Sequence, residues 1–146
     1  MPHQAKREAA MRCYPAIAFM LGFALLASCS QPVQPGDHTT DSLETVKQNL
    51  ESEEALLVDV REESEWESSG HVAGAVLLPT SELKQGIDRE ELSSRLPEDK
   101  VLYTYCAAGK RAVTAGKDLQ NYGFEVRPLK AGYEELVEAG FEEAEY

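Results

Sequence analysis

Cysteine is scarce in this chain. Only Cys13, Cys29 and Cys106 occur among 146 residues, and no Cys-x-x-Cys pair is present. That excludes a zinc framework and a dense disulfide scaffold, both of which need paired or clustered thiols. Positive charge is scarce as well: 14 Lys and Arg stand against 26 Asp and Glu, for a net charge of −12. Lys6, Arg7 and Arg12 against Glu8 leave residues 1–28 at +2, so the remainder carries −14. A surface that acidic argues against nucleic acid as a partner, because phosphate binding needs a basic face. No apolar run reaches the ~20 residues that a transmembrane helix requires. The longest, residues 16–26 (AIAFMLGFALL), stops at eleven. The length supports one domain.

What is present centres on residues 101–112, VLYTYCAAGKRA. Val101, Leu102, Tyr103, Thr104 and Tyr105 form an apolar, β-rich run that predicts a buried strand. Val113, Leu119 and Tyr122 then carry helical spacing, with Gly123 as the stop. Between them lie Cys106, Ala107, Ala108, Gly109, Lys110 and Arg111. A cysteine at the carboxyl end of a strand, before a small-residue loop that opens a helix, faces unpaired backbone N–H groups. Such donors stabilise an anion and favour a thiolate. Lys110 and Arg111 add fixed positive charge. The plainer alternative is a small core hydrophobe, the commonest use of a single buried cysteine.

The rest of the chain alternates. Residues 1–28 pair a basic start with the short apolar core, the pattern of a secretion signal rather than of a membrane span. Residues 29–40, with two prolines and a glycine after Ser30, predict a tether, and His38 within it a solvent-exposed linker residue. The globular domain is expected over 41–146. Leu43, Val46 and Leu50 share a helical face, capped by Asp41 or Ser42. Residues 55–60 (ALLVDV) predict a strand buried on both faces, followed by a short helix around 62–68. Helical turns are expected at 80–83 and 88–96, a strand at 124–129 (FEVRPL) and a closing helix at 134–139. The acidic tail 142–145 predicts solvated surface. This alternation implies an α/β fold with a central parallel sheet and helices on both faces. Ligands in such sheets sit beyond the carboxyl ends of the strands, where Asp59 and Cys106 both lie.

Two resemblances add to this reading. Leu26-Ala27-Ser28-Cys29 resembles the bacterial lipobox, which implies cleavage before Cys29, acylation of that residue (palmitate included) and anchoring of residues 29–40 as a lipidated tether. Ser30, rather than Asp, after the cysteine favours the outer membrane, facing the periplasm.

Cys106-x-x-Gly109-x-Arg111 resembles the active-site loop of single-domain rhodaneses, sulfurtransferases that carry sulfur as a cysteine persulfide. Asp59-Val60-Arg61, an aromatic helix and Gly70-His71-Val72-Ala73-Gly74-Ala75 resemble that family's second signature. The resemblance covers roughly residues 41–141. It implies a three-layer rhodanese-like fold, with Cys106 as nucleophile and residues 107–111 as the persulfide cradle. It gives Asp59, Arg61 and His71 supporting roles. By its chemistry His71 would make one buried hydrogen bond and tie down its loop, and Asp59 and Arg61 would be buried in hydrogen-bonded pairing with neighbouring loops.

The implied donor is a small anion, thiosulfate or polysulfide, held by Lys110 and Arg111. The implied acceptor is a thiol, sulfide or cyanide, and no metal or organic cofactor is called for. A non-enzymatic persulfide carrier or protein-binding module is the alternative. Phosphatase chemistry is disfavoured, because Cys106 and Arg111 enclose four residues where dual-specificity phosphatases have five. The chain departs from the rhodanese pattern in having Ala112 for Ser or Thr, Ala131-Gly132 for Gly-Gly, Leu136 for Trp and Ala73 for Pro.

Overall fold

The computed structural model describes residues 37–146. The signal-like segment, the lipidation site Cys29 and most of the tether lie outside the described residues. Helix α1 (Leu43–Glu51) begins at Ser42, whose Oγ accepts from the Thr45 N–H at 3.1 Å. That settles the cap, since the carboxylate of Asp41 is taken by Tyr103 and Arg127. Strand β1 (Ala55–Asp59) leads to α2 (Glu63–Ser69). A capping box between Glu62 and Glu65 starts α2, satisfying two of the N–H groups that a helix start leaves unpaired.

Two-residue strands β2 (His71–Val72) and β3 (Val76–Leu77) follow, then α3 (Thr80–Gln85) and α4 (Arg89–Arg95). Strand β4 (Val101–Tyr105) feeds α5 (Lys110–Asn121), and α6 (Tyr133–Glu138) and β5 (Glu143–Ala144) complete the chain.

The sheet is parallel in the order β3-β1-β4, with Asp59 opposite Tyr105 at its carboxyl edge. Side chains alternate across it with period two. Val58, Val60, Leu102 and Cys106 pack with Leu83, Leu92, Ala112 and Leu119 on the α3–α5 side. Leu57, Tyr103 and Tyr105 pack with Val46, Tyr133 and Leu136 on the α1–α6 side. Helices thus cover both faces.

Residues 124–129 run beside β4, with bonds Leu102 N–H to Glu125 O, Arg127 N–H to Leu102 O and Leu129 N–H to Thr104 O, each at 2.8 Å. Only Leu102 and Val126 form a ladder pair there. The expected strand is therefore an irregular edge segment, in which Pro128 has no N–H to give. The tail also departs from expectation. Instead of being wholly solvated, Glu143 and Ala144 pair antiparallel with Val72 and His71.

Candidate active site

Cys106 directly follows β4, and period two turns its side chain to the α3–α5 face, where the residue is 1% exposed. Its carbonyl accepts from the Tyr133 N–H at 2.9 Å. Ala107 and Ala108 are exposed, whereas Gly109 is buried. Gly109 adopts φ +78 at the N-cap of α5, a left-handed conformation that glycine takes without a Cβ penalty. A Cβ there would also lie 2.7 Å from the Lys130 carbonyl oxygen. Lys110 N–H donates to Ala108 O at 3.0 Å and Val113 N–H to Gly109 O at 3.3 Å. The main-chain N–H groups of Ala107, Ala108, Gly109, Arg111 and Ala112 donate to no acceptor among the described residues. Unpaired donors at a loop that opens a helix of twelve residues can stabilise an anion bound there.

The two cations after the loop have different surroundings. Lys110, the first residue of α5, is exposed. Arg111 is gripped by Glu65 of α2 through two bonds, Nη1 to Oε2 at 2.5 Å and Nη2 to Oε1 at 2.7 Å. The bidentate bond to Glu65 pushes the Arg111 pKa further up, with the charge of Cys106 a smaller contribution. The same bond holds the Glu65 carboxyl below its ordinary value, against the opposing effect of burial. The expectation of two free cations for an anionic donor is therefore altered. Of the two, Lys110 has no side-chain partner among the described residues, and Arg111 is a charge near the thiol that is largely balanced by its partner.

Asp59 and Arg61 are buried and hydrogen-bonded, as expected, and their main pairing is with each other. Arg61 Nη2 meets Asp59 Oδ2 at 2.7 Å, and the Arg61 N–H donates to Asp59 Oδ1 at 2.9 Å. Burial alone would lower the Arg61 pKa, and Asp59 more than offsets it. Arg61 also donates to Ser69 Oγ and the Gly70 carbonyl, and its guanidinium lies 4.0 Å from the Tyr133 ring centre. By the strand alternation Asp59 points to the α1–α6 face, opposite Cys106. The pair reaches the loop through Tyr133, whose N–H holds the Cys106 carbonyl, and through Ser69, whose Oγ donates to the carbonyl of Glu65, the partner of Arg111. Burial, then Glu143, pushes the Tyr133 phenol up to about 12; its hydroxyl has one proton and two acceptors in reach, Ser69 O at 2.6 Å and Glu143 Oε1 at 2.8 Å.

His71 is placed differently from its expected role. Its Nδ1 is buried and has no hydrogen-bond partner among the described residues. The loop after it is tied by main chain instead, Ala75 N–H to Val72 O at 3.1 Å and Ala73 N–H to Glu142 O at 2.8 Å. That bonding leaves the imidazole no tethering task.

Several site residues escape sequence reasoning. Glu65 carries a capping-box signal but nothing that foretells its partner 46 residues on. Gly132 is required by space: a Cβ would sit 1.9 Å from the Ala107 carbonyl oxygen. That explains why glycine stays here while its neighbour is Ala131. His38, expected in solvent, is half-buried with Nε2 3.3 Å from the Gly109 carbonyl oxygen. Beside the loop opens a cavity of about 700 Å³, walled by Leu43, Ala107, Ala108 and Ala131 and rimmed by Lys130, Glu134 and Glu135.

Comparisons with known proteins agree with this architecture. The chain is 32% identical over 98 residues to the putative sulfur carrier protein YrkF of Bacillus subtilis, covering 61% of this chain and 49% of that protein. It is 38% identical over 80 residues to the uncharacterised protein YqhL of the same organism, covering 54% and 58%. It thus spans about half the length of the curated relatives it matches. The human single-domain sulfurtransferase TSTD1 superposes with a TM-score of 0.59 at 28% identity, over 70% of this chain and 97% of that one. Residues 42–139 match the family described as the rhodanese-like domain. With two-thirds of its length in that match and the parallel sheet and Cys106 loop in place, the chain belongs to the rhodanese-like domain family.

Proposed function

We propose that this protein is a sulfurtransferase that carries sulfane sulfur on Cys106, with thiosulfate or a similar anion as donor. The observation that carries the reading is the run of unpaired N–H groups immediately after Cys106, which suits a persulfide anion more than a neutral thiol. In the first step the Cys106 thiolate attacks the outer sulfur of thiosulfate. The S–S bond of the donor breaks, sulfite leaves with the electron pair, and Cys106 becomes a persulfide anion. In the second step a thiolate, sulfide or cyanide attacks the outer persulfide sulfur and takes it, and the Cys106 thiolate is restored. This is covalent catalysis with preorganised donors stabilising the intermediate. Lys110 supplies the free positive charge at the mouth, while Arg111, fixed by Glu65, sets the start of α5.

A second reading, a stoichiometric persulfide carrier, is favoured by the 1% exposure of Cys106 and by the name of the YrkF relative. A shielded persulfide would be released only to a partner that opens the loop. Phosphate transfer is disfavoured, because the guanidinium that would clamp a phosphate is already bound at both nitrogens by Glu65.

Intact mass before and after brief exposure to thiosulfate tests the proposal. The expected result is a gain of one sulfur atom, reversed by cyanide and absent in Cys106→Ser. No gain with thiosulfate, polysulfide or a mercapto-acid overturns sulfur loading altogether. Gain without turnover selects the carrier.

A further inference from the structure

We propose that His38 is a positioning residue for the Cys106 loop, so that the strap just before the family's 42–139 span is part of the site. The inference rests on the reading of Cys106 as the sulfur-carrying residue, and its evidence is separate. A carbonyl only accepts, so the 3.3 Å contact requires the His38 ring to donate from Nε2 to Gly109 O. That oxygen is also the first acceptor of α5, receiving the Val113 N–H at a long 3.3 Å. Two lone pairs accommodate both donors. The Cβ position of Gly109 lies 2.9 Å from His38 Nε2 and 2.7 Å from Lys130 O. Gly109 is thus gripped between the imidazole and the chain that continues into Gly132 and Tyr133.

The strap that carries the ring is held independently of the loop. Thr39 N–H donates to Pro128 O at 2.7 Å. Asp41 Oδ2 accepts from Tyr103 Oη at 2.6 Å and from Arg127 Nη1 at 3.0 Å. Asp41 N–H donates to Thr39 Oγ1 at 3.1 Å. The strap is therefore anchored to β4 and to the edge segment beside it, and His38 projects from a fixed base.

Holding the Gly109 carbonyl outward has a chemical consequence. The peptide between Gly109 and Lys110 begins the helical half of the cradle. Rotated inward, its oxygen would face a persulfide anion and repel it. Fixed outward, it keeps the Gly109 ψ at −31 and aims the following N–H groups of Arg111 and Ala112. The Nε2–H tautomer of neutral imidazole and the protonated ring both donate from Nε2, so the contact needs the donor and not the charge.

The test compares full-length wild type, His38→Leu and His38→Gln, whose amide N–H reaches a similar point. Three quantities are read: single-turnover sulfur loading from thiosulfate, amide exchange across residues 106–113, and the melting temperature. His38→Leu is expected to slow loading by roughly five- to tenfold, the worth of one lost hydrogen bond, with KM for thiosulfate little changed. Amides 107–112 exchange faster, and His38→Gln restores both to within about twofold, the range of a hydrogen bond of similar strength. Equal loading and exchange in His38→Leu overturn the proposal. So does failure of His38→Gln to rescue, or a loss that follows melting temperature alone. Absence of loading in the wild type would instead overturn the sulfur-transfer reading, and the exchange comparison still decides the role of His38.

Discussion

Gly132 and Gly74 separate two reasons for a glycine. Gly74 has φ +76 and nothing within 4 Å of its Cβ position, so only conformation demands it. Gly132 has φ −85, which any residue adopts, and only space demands it. Its Cβ would overlap the Ala107 carbonyl oxygen at 1.9 Å, a backbone atom that cannot swing aside like a side-chain end. Gly74→Ala should therefore cost about 1 kcal/mol, the left-handed penalty, and leave sulfur loading intact. Gly132→Ala should cost about 3 kcal/mol, the upper range for overpacking. It should also abolish loading, because the loop has to move to admit the methyl group. Urea denaturation of the two variants checks the order. A Gly132→Ala protein as stable as wild type would show that the turn before α6 yields freely and does not brace the loop.

At the scale of elements, α2 links two tasks through one residue. Glu65 accepts from the Glu62 N–H at 2.9 Å, closing the capping box, and binds Arg111 at the start of α5. The bond to Arg111 depresses its pKa below the ordinary 4.5. A carboxyl whose folded pKa lies below its unfolded value stabilises the fold above the unfolded value, and that stabilisation is lost as pH falls through the folded one. Glu65→Gln keeps a capping side chain and removes the charge. The gap in melting temperature between wild type and Glu65→Gln should be full near pH 7, begin to shrink below about 4.5, and close at lower pH. Melts from pH 7 to pH 3 measure it, and a gap independent of pH would mean that Glu65 acts by packing and not by charge.

Elements of this kind mark what was legible in the chain. Residues 101–105 and 55–59 are apolar runs longer than any turn allows, and α5 carries three turns of spaced apolar residues, so periodicity located them. The Cys106 loop was legible because its residues are contiguous. Strands β2, β3 and β5 have two residues each, too few for a period of two to show. The Glu65–Arg111 and His38–Gly109 contacts join positions 46 and 71 residues apart, and nothing local in the sequence specifies them. The loop after His71 is likewise tied by a contact distant in sequence, the Ala73 N–H on the Glu142 carbonyl.

For the whole molecule, charge and chemistry pull in opposite directions. The chain beyond residue 28 carries −14, and the cavity beside the loop sets Glu134 and Glu135 against Lys130 at its rim. Lys110, and Lys130 at the cavity rim, offer the positive charge beside the loop that no carboxylate holds among the described residues, since Arg111 is neutralised by Glu65. A thiosulfate dianion, the donor proposed above, would therefore approach a body of like sign and meet attraction only at close range. Screening acts over about 10 Å at 0.1 M salt, a distance that spans the protein's overall field but leaves the contact with Lys110 less affected. Raising salt from 10 to 150 mM should thus increase kcat/KM for thiosulfate by roughly twofold or more. Transfer from an uncharged organic donor should stay flat over the same range. A fall with salt would reverse the inference and place the controlling field in the local cations of the loop. In that case Lys110→Gln should abolish the salt dependence, a result that repulsion by the whole acidic surface does not produce.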